Sequence, residues 1–288
     1  MILVTGASSS PGYKIALKLS ERYDVLGVYN AHKIDSIDAI QYDLTKNPER
    51  LIRDYKPSTI VHAAAIGNVD LCEDNKELCF SSNVVATRRL LGEAAKIGSN
   101  IIYISTDYVF DGRRGLYGEE DTPSPINYYG LTKLLGEEVA LSLDGTVIRI
   151  AAVYGVGAGR TNFGRFLVEK LSRNEDVDAA TDQYLSPTLN TQIGEAVAKI
   201  LEVDYRGIVH IAGPRLSRYD FATKLCKIFN FDRHHIKPVS IDSFKFKAPR
   251  PRDSSLNNSL GERLTGIKLS DIDNSLSTFK REFLQREA

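Results

Sequence analysis

Tyr129 and Lys133 stand four residues apart in a stretch, Tyr128 to Leu141, that is predicted to be helical. Four residues is just over one helical turn, so both side chains leave the same face. An ammonium held beside a phenol favours the tyrosinate. A tyrosine tuned in this way can give its proton to a carbonyl oxygen as hydride reaches the carbon. The same lysine can hold cofactor ribose hydroxyls. With 14 tyrosines in the chain such pairs arise by chance, so context decides the reading. The predicted strand Ile101 to Ile104 runs into Ser105-Thr106-Asp107, whose hydroxyls can hydrogen-bond a substrate oxygen, and Thr106 precedes Tyr129 by 23 residues. A strand-end hydroxyl, from Ser105 or Thr106, followed by the helical Tyr129–Lys133 pair points to carbonyl reduction.

A reductase of this kind needs a dinucleotide site. The apolar run Ile2 to Val4 leads into Gly6-Ala7-Ser8-Ser9-Ser10-Pro11-Gly12 and then a helix, Tyr13 to Arg22. Gly6 suits a tight turn and Gly12 close helix–strand packing, while the helix N-terminus faces a pyrophosphate. Ser9 takes the place of the middle glycine; it is small and its hydroxyl can donate. Pro11 fits the first helical turn. Gly6, Ser8, Ser9, Ser10, Pro11 and Gly12 are therefore cofactor candidates. The second strand, Val25 to Tyr29, is followed by Asn30, Ala31, His32 and Lys33, with no acid before Asp35. An NAD site usually carries an acid there for the ribose hydroxyls. Asn30 does not repel a 2′-phosphate and His32 or Lys33 can reach it, which favours NADP, with NAD as the alternative. The other reading leaves His32 and Lys33 simply facing solvent. Asp43, with Leu44, follows a third apolar run and is placed to meet the adenine amino group. Ala63, Ala64 and Ala65 end the next strand with small side chains that let a cofactor lie against backbone; His62 reads as structural.

The elements that must position these groups alternate. Apolar strands at 60–64, 101–104 and 147–150 are separated by helices at 47–54, 70–81, 83–96 and 128–141. Continuous apolar strands between helices predict an α/β fold, a Rossmann-like doubly wound parallel sheet covered on both faces. After Arg149 the rhythm changes. Gly155, Gly157 and Gly159 mark a loop; helices are expected at 163–171, 191–201, 219–229 and 272–283; a strand at 207–211 can return to the main sheet. The stretch 236–253 holds three prolines and reads as a long ordered loop. This gives an NADP-binding unit over 1–150, completed by about 182–212, and a smaller C-terminal substrate-binding lobe from 151–181 and 213–288.

With 288 residues, 37 Lys and Arg and 37 Asp and Glu, the chain is large enough for a sizeable core and has no basic excess. Dedicated nucleic-acid binding is not expected. The charge is unevenly distributed: residues 1–212 hold 22 basic and 28 acidic side chains, residues 213–288 hold 15 and 9. A basic C-terminal region containing Lys245, Lys247, Arg250 and Arg252 suits an anionic small substrate. There is no signal peptide at the start and no apolar run that could span a membrane, so a cytoplasmic protein is expected. Cys72, Cys79 and Cys226 form neither a metal motif nor a disulfide framework. Cys72 and Cys79, seven apart, share a helical face and are expected as reduced core thiols.

The chain resembles an extended short-chain dehydrogenase/reductase, specifically the dTDP-4-dehydrorhamnose reductase family. The most specific part is Ser105-Thr106-Asp107-Tyr108-Val109-Phe110-Asp111-Gly112, continuing through Glu119, Asp121, Ser124-Pro125 and Asn127 to Tyr129-Gly130-Leu131-Thr132-Lys133. Further matches are His62-Ala63-Ala64, Asp70, Cys72-Glu73, Asn83, Arg149, Asn162-Phe163, Asp182-Gln183, Pro187-Thr188, Gly207 to Gly213, Arg250-Pro251 and Ser254-Ser255. The resemblance implies NADPH-dependent reduction of the 4-keto group of dTDP-6-deoxy-L-lyxo-4-hexulose to dTDP-L-rhamnose. It implies that Thr106 orients the keto oxygen, Tyr129 is the acid, and Lys133 tunes it and binds ribose. Asn83 would join the cofactor site, Asp107, Tyr108, Asn162 and Phe163 the substrate site, and Arg250 would contact the nucleotide-sugar phosphate. A homodimer is also implied. Some bacterial members carry magnesium at a dimer contact, and no ligands for it are assigned here. Two departures stand out: Ser9 replaces the usual glycine, and Ser217-Arg218-Tyr219 replaces Ser-Trp-Tyr in a chain without tryptophan. Related alternatives are another nucleotide-sugar reductase or epimerase, and the NADP-binding regulatory beta subunit of methionine adenosyltransferase, which keeps the fold but works as a partner protein.

Overall fold

The computed structural model describes residues 1–287. Seven strands form one parallel sheet: β1 (Ile2–Thr5), β2 (Val25–Tyr29), β3 (Ala39–Gln41), β4 (Thr59–His62), β5 (Asn100–Thr106), β6 (Thr146–Ile150) and, from much later in the chain, Gly207–Ile211. Their spatial order runs Gly207–Ile211, β6, β5, β4, β1, β2, β3. The order reverses between β1 and β4, and in a doubly wound sheet ligands bind in the crevice at that point, beyond the carboxyl ends of the strands. The strands are apolar on both sides because both faces are covered. Helix α1 (Ser10–Ser20) packs its Ile15, Ala16 and Leu19 on one face, sharing a core with Ile193, Val197 and Ile200 from Asn190–Glu202. Helices α2 (Pro48–Tyr55) and Ala86–Lys96 cover the other face with Leu51, Ile52, Leu90, Leu91 and Ala94.

The segment 70–81 is not one helix. Asn75 leaves the helical region (φ −133°, ψ 78°), and its side chain accepts from Leu78 N. The cap splits the segment into α3 (Val69–Asp74) and α4 (Lys76–Phe80), after which a π-helical turn at Ser81–Val85 leads into α5 (Ala86–Lys96). Residues seven apart in an unbroken helix lie about 10.5 Å apart along the axis. The break brings the Cα atoms of Cys72 and Cys79 to 5.3 Å, and the two residues form a disulfide. The expectation of reduced thiols is thus corrected for this pair, while Cys226 is buried and free.

Beyond β6 come β7 (Val153–Tyr154), α7 (Phe163–Leu171), β8 (Val177–Ala180), β9 (Tyr184–Leu185), β10 (Thr188–Leu189), α8 (Asn190–Glu202) and β11 (Gly207–Ile211). These are followed by β12 (Leu216–Ser217), α9 (Arg218–Phe229) and β13 (Ile236–Val239), and later α10 (Ser259–Thr265) and α11 (Ile272–Glu287). A second core joins Leu167 and Leu171 of α7, Phe221 and Leu225 of α9, and Leu276 and Phe279 of α11. The 236–253 stretch opens as strand rather than loop: β13 pairs in parallel with β8, Ile236 opposite Val177. Pro238 is tolerated there because this is a two-stranded edge ladder. No helix among the described residues is long and apolar enough to cross a membrane.

Candidate active site

A cleft of about 330 Å³ opens at the carboxyl ends of β1, β4 and β5. Its wall includes Ser9 and Pro11 of the glycine turn, Ala63 and Ala65 after β4, Thr106, Asp107 and Tyr108 after β5, and Tyr129 and Lys133. The opposite side is closed by Gln183, Leu185, Arg218 and Ser254.

Tyr129 and Lys133 are carried by α6 (Tyr128–Ser142), which starts where Asn127 accepts Gly130 N at 2.8 Å and donates to Pro249 O at 3.1 Å. Gly136 lets this helix lie directly on β5: a Cβ there would come within 2.1 Å of the Tyr103 hydroxyl. Lys133 Nζ reaches down to donate to Ile104 O at 2.8 Å and sits 4.1 Å from the Tyr103 ring centre. Thr106 is fixed at the end of β5. Its Oγ1 accepts Tyr108 N and donates to Asp107 Oδ1 at 3.0 Å.

Burial governs the protonation of this cluster. It raises Tyr129 well above an ordinary phenol, opposed by the neighbouring Thr106 hydroxyl, so the phenol holds its proton at neutral pH as an acid must. Burial pushes Lys133 down to about 7, with Glu137 pulling the other way. Asp107 is raised to about 6 by burial, against hydrogen bonds from Ser254 and Thr106. His62, lowered by burial to about 3, bridges Thr5 Oγ1 at 2.6 Å and Thr87 Oγ1 at 2.8 Å and so ties the sheet to α5.

The glycine turn fits a dinucleotide. Gly6 has φ +67°, and a Cβ on it would meet Ala64 N at 2.6 Å; one on Gly12 would meet Gly6 O at 2.2 Å. Ser9 caps α1, its Oγ accepting Gly12 N at 3.1 Å. The loop at Gly159 lies against this turn: a Cβ there would sit 3.0 Å from Ser10 N and 3.1 Å from Ser8 O. Ser10 Oγ accepts from Asn190 Nδ2 at 3.1 Å. Asn30, His32 and Lys33 follow β2, all exposed, with Lys33 paired to Asp35 at 2.5 Å. Asp43 follows β3 and accepts from Thr45 N and Oγ1; Leu44 packs partly buried beside it.

Other sequence candidates are engaged within the protein. Asn83 accepts Ile66 N at 2.7 Å and donates to Ile66 O and Thr132 Oγ1, bracing the cofactor wall against α6. Asn162 is the cap of α7, accepting Arg165 N and donating to Gly155 O. Phe163 packs on Phe221 and under the Arg218 guanidinium. Arg250 pairs with Asp70 at 3.0 Å and donates to Ala248 O. The wall residues Arg218, Gln183 and Ser254 are not among the sequence candidates, although Gln183 and Ser254 fall in matched family segments and Arg218 marks a departure.

A reversing parallel sheet, a glycine turn at its crevice and a threonine–tyrosine–lysine set lining the same cleft define a class, the NAD(P)H-dependent nucleotide-sugar reductases. The chain belongs to the family described as the RmlD substrate binding domain, whose profile matches residues 1–285. A hypothetical dTDP-4-dehydrorhamnose reductase from Sulfolobus tokodaii is 38% identical, with TM-score 0.87 over 94% of this chain and 98% of that one. A dTDP-4-dehydrorhamnose reductase from Bacillus anthracis, solved in complex with NADP, is 26% identical, with TM-score 0.85 over 99% of this chain and 98% of that one. The methionine adenosyltransferase 2 subunit beta of Mus musculus is 31% identical over 93% of this chain and 86% of its own length.

Proposed function

We propose that the protein is a dTDP-4-dehydrorhamnose reductase, reducing the 4-keto group of dTDP-6-deoxy-L-lyxo-4-hexulose to give dTDP-L-rhamnose. The observation that carries this reading is the meeting of Thr106, Tyr129 and Lys133 with the glycine turn in one cleft. NADPH, when bound, supplies the reducing equivalent. Gly6, Ser8, Ser9, Ser10, Pro11 and Gly12 would hold its pyrophosphate at the α1 N-terminus, Ala63 to Ala65 its nicotinamide side, and Asn30, His32 and Lys33 its 2′-phosphate. Tyr129 donates a proton to the keto oxygen, Thr106 orients that oxygen, and Lys133 supplies positive charge to the phenol as it ionises and to the ribose. Asp107 and Tyr108 border the sugar. Residues 1–150 with about 182–212 form the NADP-binding unit, and the remainder the substrate lobe. The working form is a cytoplasmic homodimer, as the family resemblance suggests. The test is to add dTDP-6-deoxy-L-lyxo-4-hexulose to protein and NADPH; the nicotinamide absorbance should fall, and no loss above background overturns the substrate assignment.

The similarity to methionine adenosyltransferase subunit beta favours a second reading, an NADP-binding partner protein. It predicts that Tyr129→Phe leaves stimulation of a methionine adenosyltransferase unchanged, whereas the reductase needs the phenol.

A further inference from the structure

Arg218 is the first residue of α9, a helix whose start is fixed by a capping box in which Asp220 N donates to Ser217 Oγ at 2.9 Å. Its Nε donates to Gln183 Oε1 at 2.6 Å and its guanidinium carbon lies 4.9 Å from the Phe163 ring centre. The group is therefore held in place on one edge and one face. Its two terminal nitrogens have no partner among the described residues, although the side chain lines the cleft beside Asp107 and Tyr108. The ionisable groups that face it are Asp107, Tyr108 and Arg250. Asp107 attracts it without direct contact: that carboxyl takes hydrogen bonds from Thr106 and Ser254 and forms no ion pair with Arg218. Arg215, Arg250 and Arg252, by contrast, are paired with Asp253, Asp70 and Asp182.

A positioned guanidinium fork, partly out of water and with no carboxylate in salt-bridge contact, can take an oxyanion in bidentate fashion. The 4-keto-6-deoxyhexose ring carries no charge, so the anion such a substrate offers is its diphosphate. We infer that Arg218 is a specificity-determining residue that binds the diphosphate of the nucleotide sugar, resting on the reductase reading above for the identity of that substrate. Arg218 fixes the far end of the sugar while Tyr129 meets the keto group, and Arg250 remains tied to Asp70.

The experiment measures binding of dTDP, dTDP-glucose, thymidine, UDP-glucuronate and NADPH to the full chain and to its Arg218→Gln and Arg218→Lys variants, with thermal melting as the folding control. Arg218→Gln should weaken dTDP and dTDP-glucose at least tenfold and by similar factors. Thymidine and NADPH should change less than twofold, and Arg218→Lys should recover part of the loss. A merely structural role would move thymidine along with dTDP. Unchanged dTDP affinity in Arg218→Gln, or no dTDP binding by the full chain, overturns the inference. A loss confined to UDP-glucuronate overturns it in favour of a sugar carboxylate. If the full chain binds dTDP through Arg218 yet never oxidises NADPH with the keto sugar, the reductase reading fails and the Arg218 assignment stands.

Discussion

At the scale of single residues, Lys133 carries a cost that its position explains. The folded chain holds its amine at about 7, below the ordinary lysine value of 10.5, so the fold favours the neutral form. That contribution to stability is present above the unfolded value and is lost as pH falls through about 7, where the ammonium must be buried. Lys133→Met in the cofactor-free protein should therefore raise the melting temperature by about 2–8 °C at pH 6, with a smaller gain at pH 10. Calorimetry at the two pH values checks it, and a lower melting temperature at pH 6 contradicts it. Tyr129, Lys133 and Thr106 were legible because their chemistry demands both type and spacing. At Asn83 and Asn162 type and spacing do not choose: a buried brace, a helix cap and a ligand contact all call for the same amide. Arg218 was visible only as a departure, since its free edge follows from Gln183 and Phe163, both more than 30 residues away in sequence.

At the scale of elements, α6 is locked to the sheet by a buried ion pair. Arg149 on β6 donates to Glu137 on α6 at 2.7 Å and 3.0 Å, and Ser105 Oγ donates to the same carboxylate at 2.5 Å. Both charged side chains are 1% exposed. Removing one partner of such a pair leaves a buried charge unpaired, so Glu137→Gln should cost about 3–5 kcal/mol in denaturant unfolding. A loss below about 1 kcal/mol, the range of surface pairs, contradicts the account. The break at Asn75 makes a different prediction. Denatured without reductant, the protein should present one reactive thiol, Cys226, and three after reduction; three in both samples contradicts the disulfide. The strands and helices of the first 150 residues were legible because buried parallel strands are apolar throughout. The helix break was not, because a single asparagine between apolar turns reads as a surface residue. β13 was missed because four residues with a proline show no periodicity, and only β8 makes them a strand.

For the molecule as a whole, the balanced charge resolves into two opposed regions that meet. Lys247 pairs with Asp74, Arg250 with Asp70 and Arg252 with Asp182, so much of the basic excess after residue 213 is neutralised by acids from before it. The sequence alone suggested a pooled basic patch for an anionic substrate. The fold instead ties Lys247 and Arg250 to α3 and Arg252 to Asp182 beyond β8, and leaves Arg218 in the cleft. The central claim is that this cleft performs carbonyl reduction with Tyr129 as the acid. The most direct test is the rate of NADPH oxidation by the full chain and by Tyr129→Phe with dTDP-6-deoxy-L-lyxo-4-hexulose, alongside NADPH binding to both. The account predicts turnover by the full chain, a fall of about 10²–10⁴-fold in the variant, and NADPH affinity preserved within about twofold. Equal rates in the two proteins, or no oxidation by either, would contradict it.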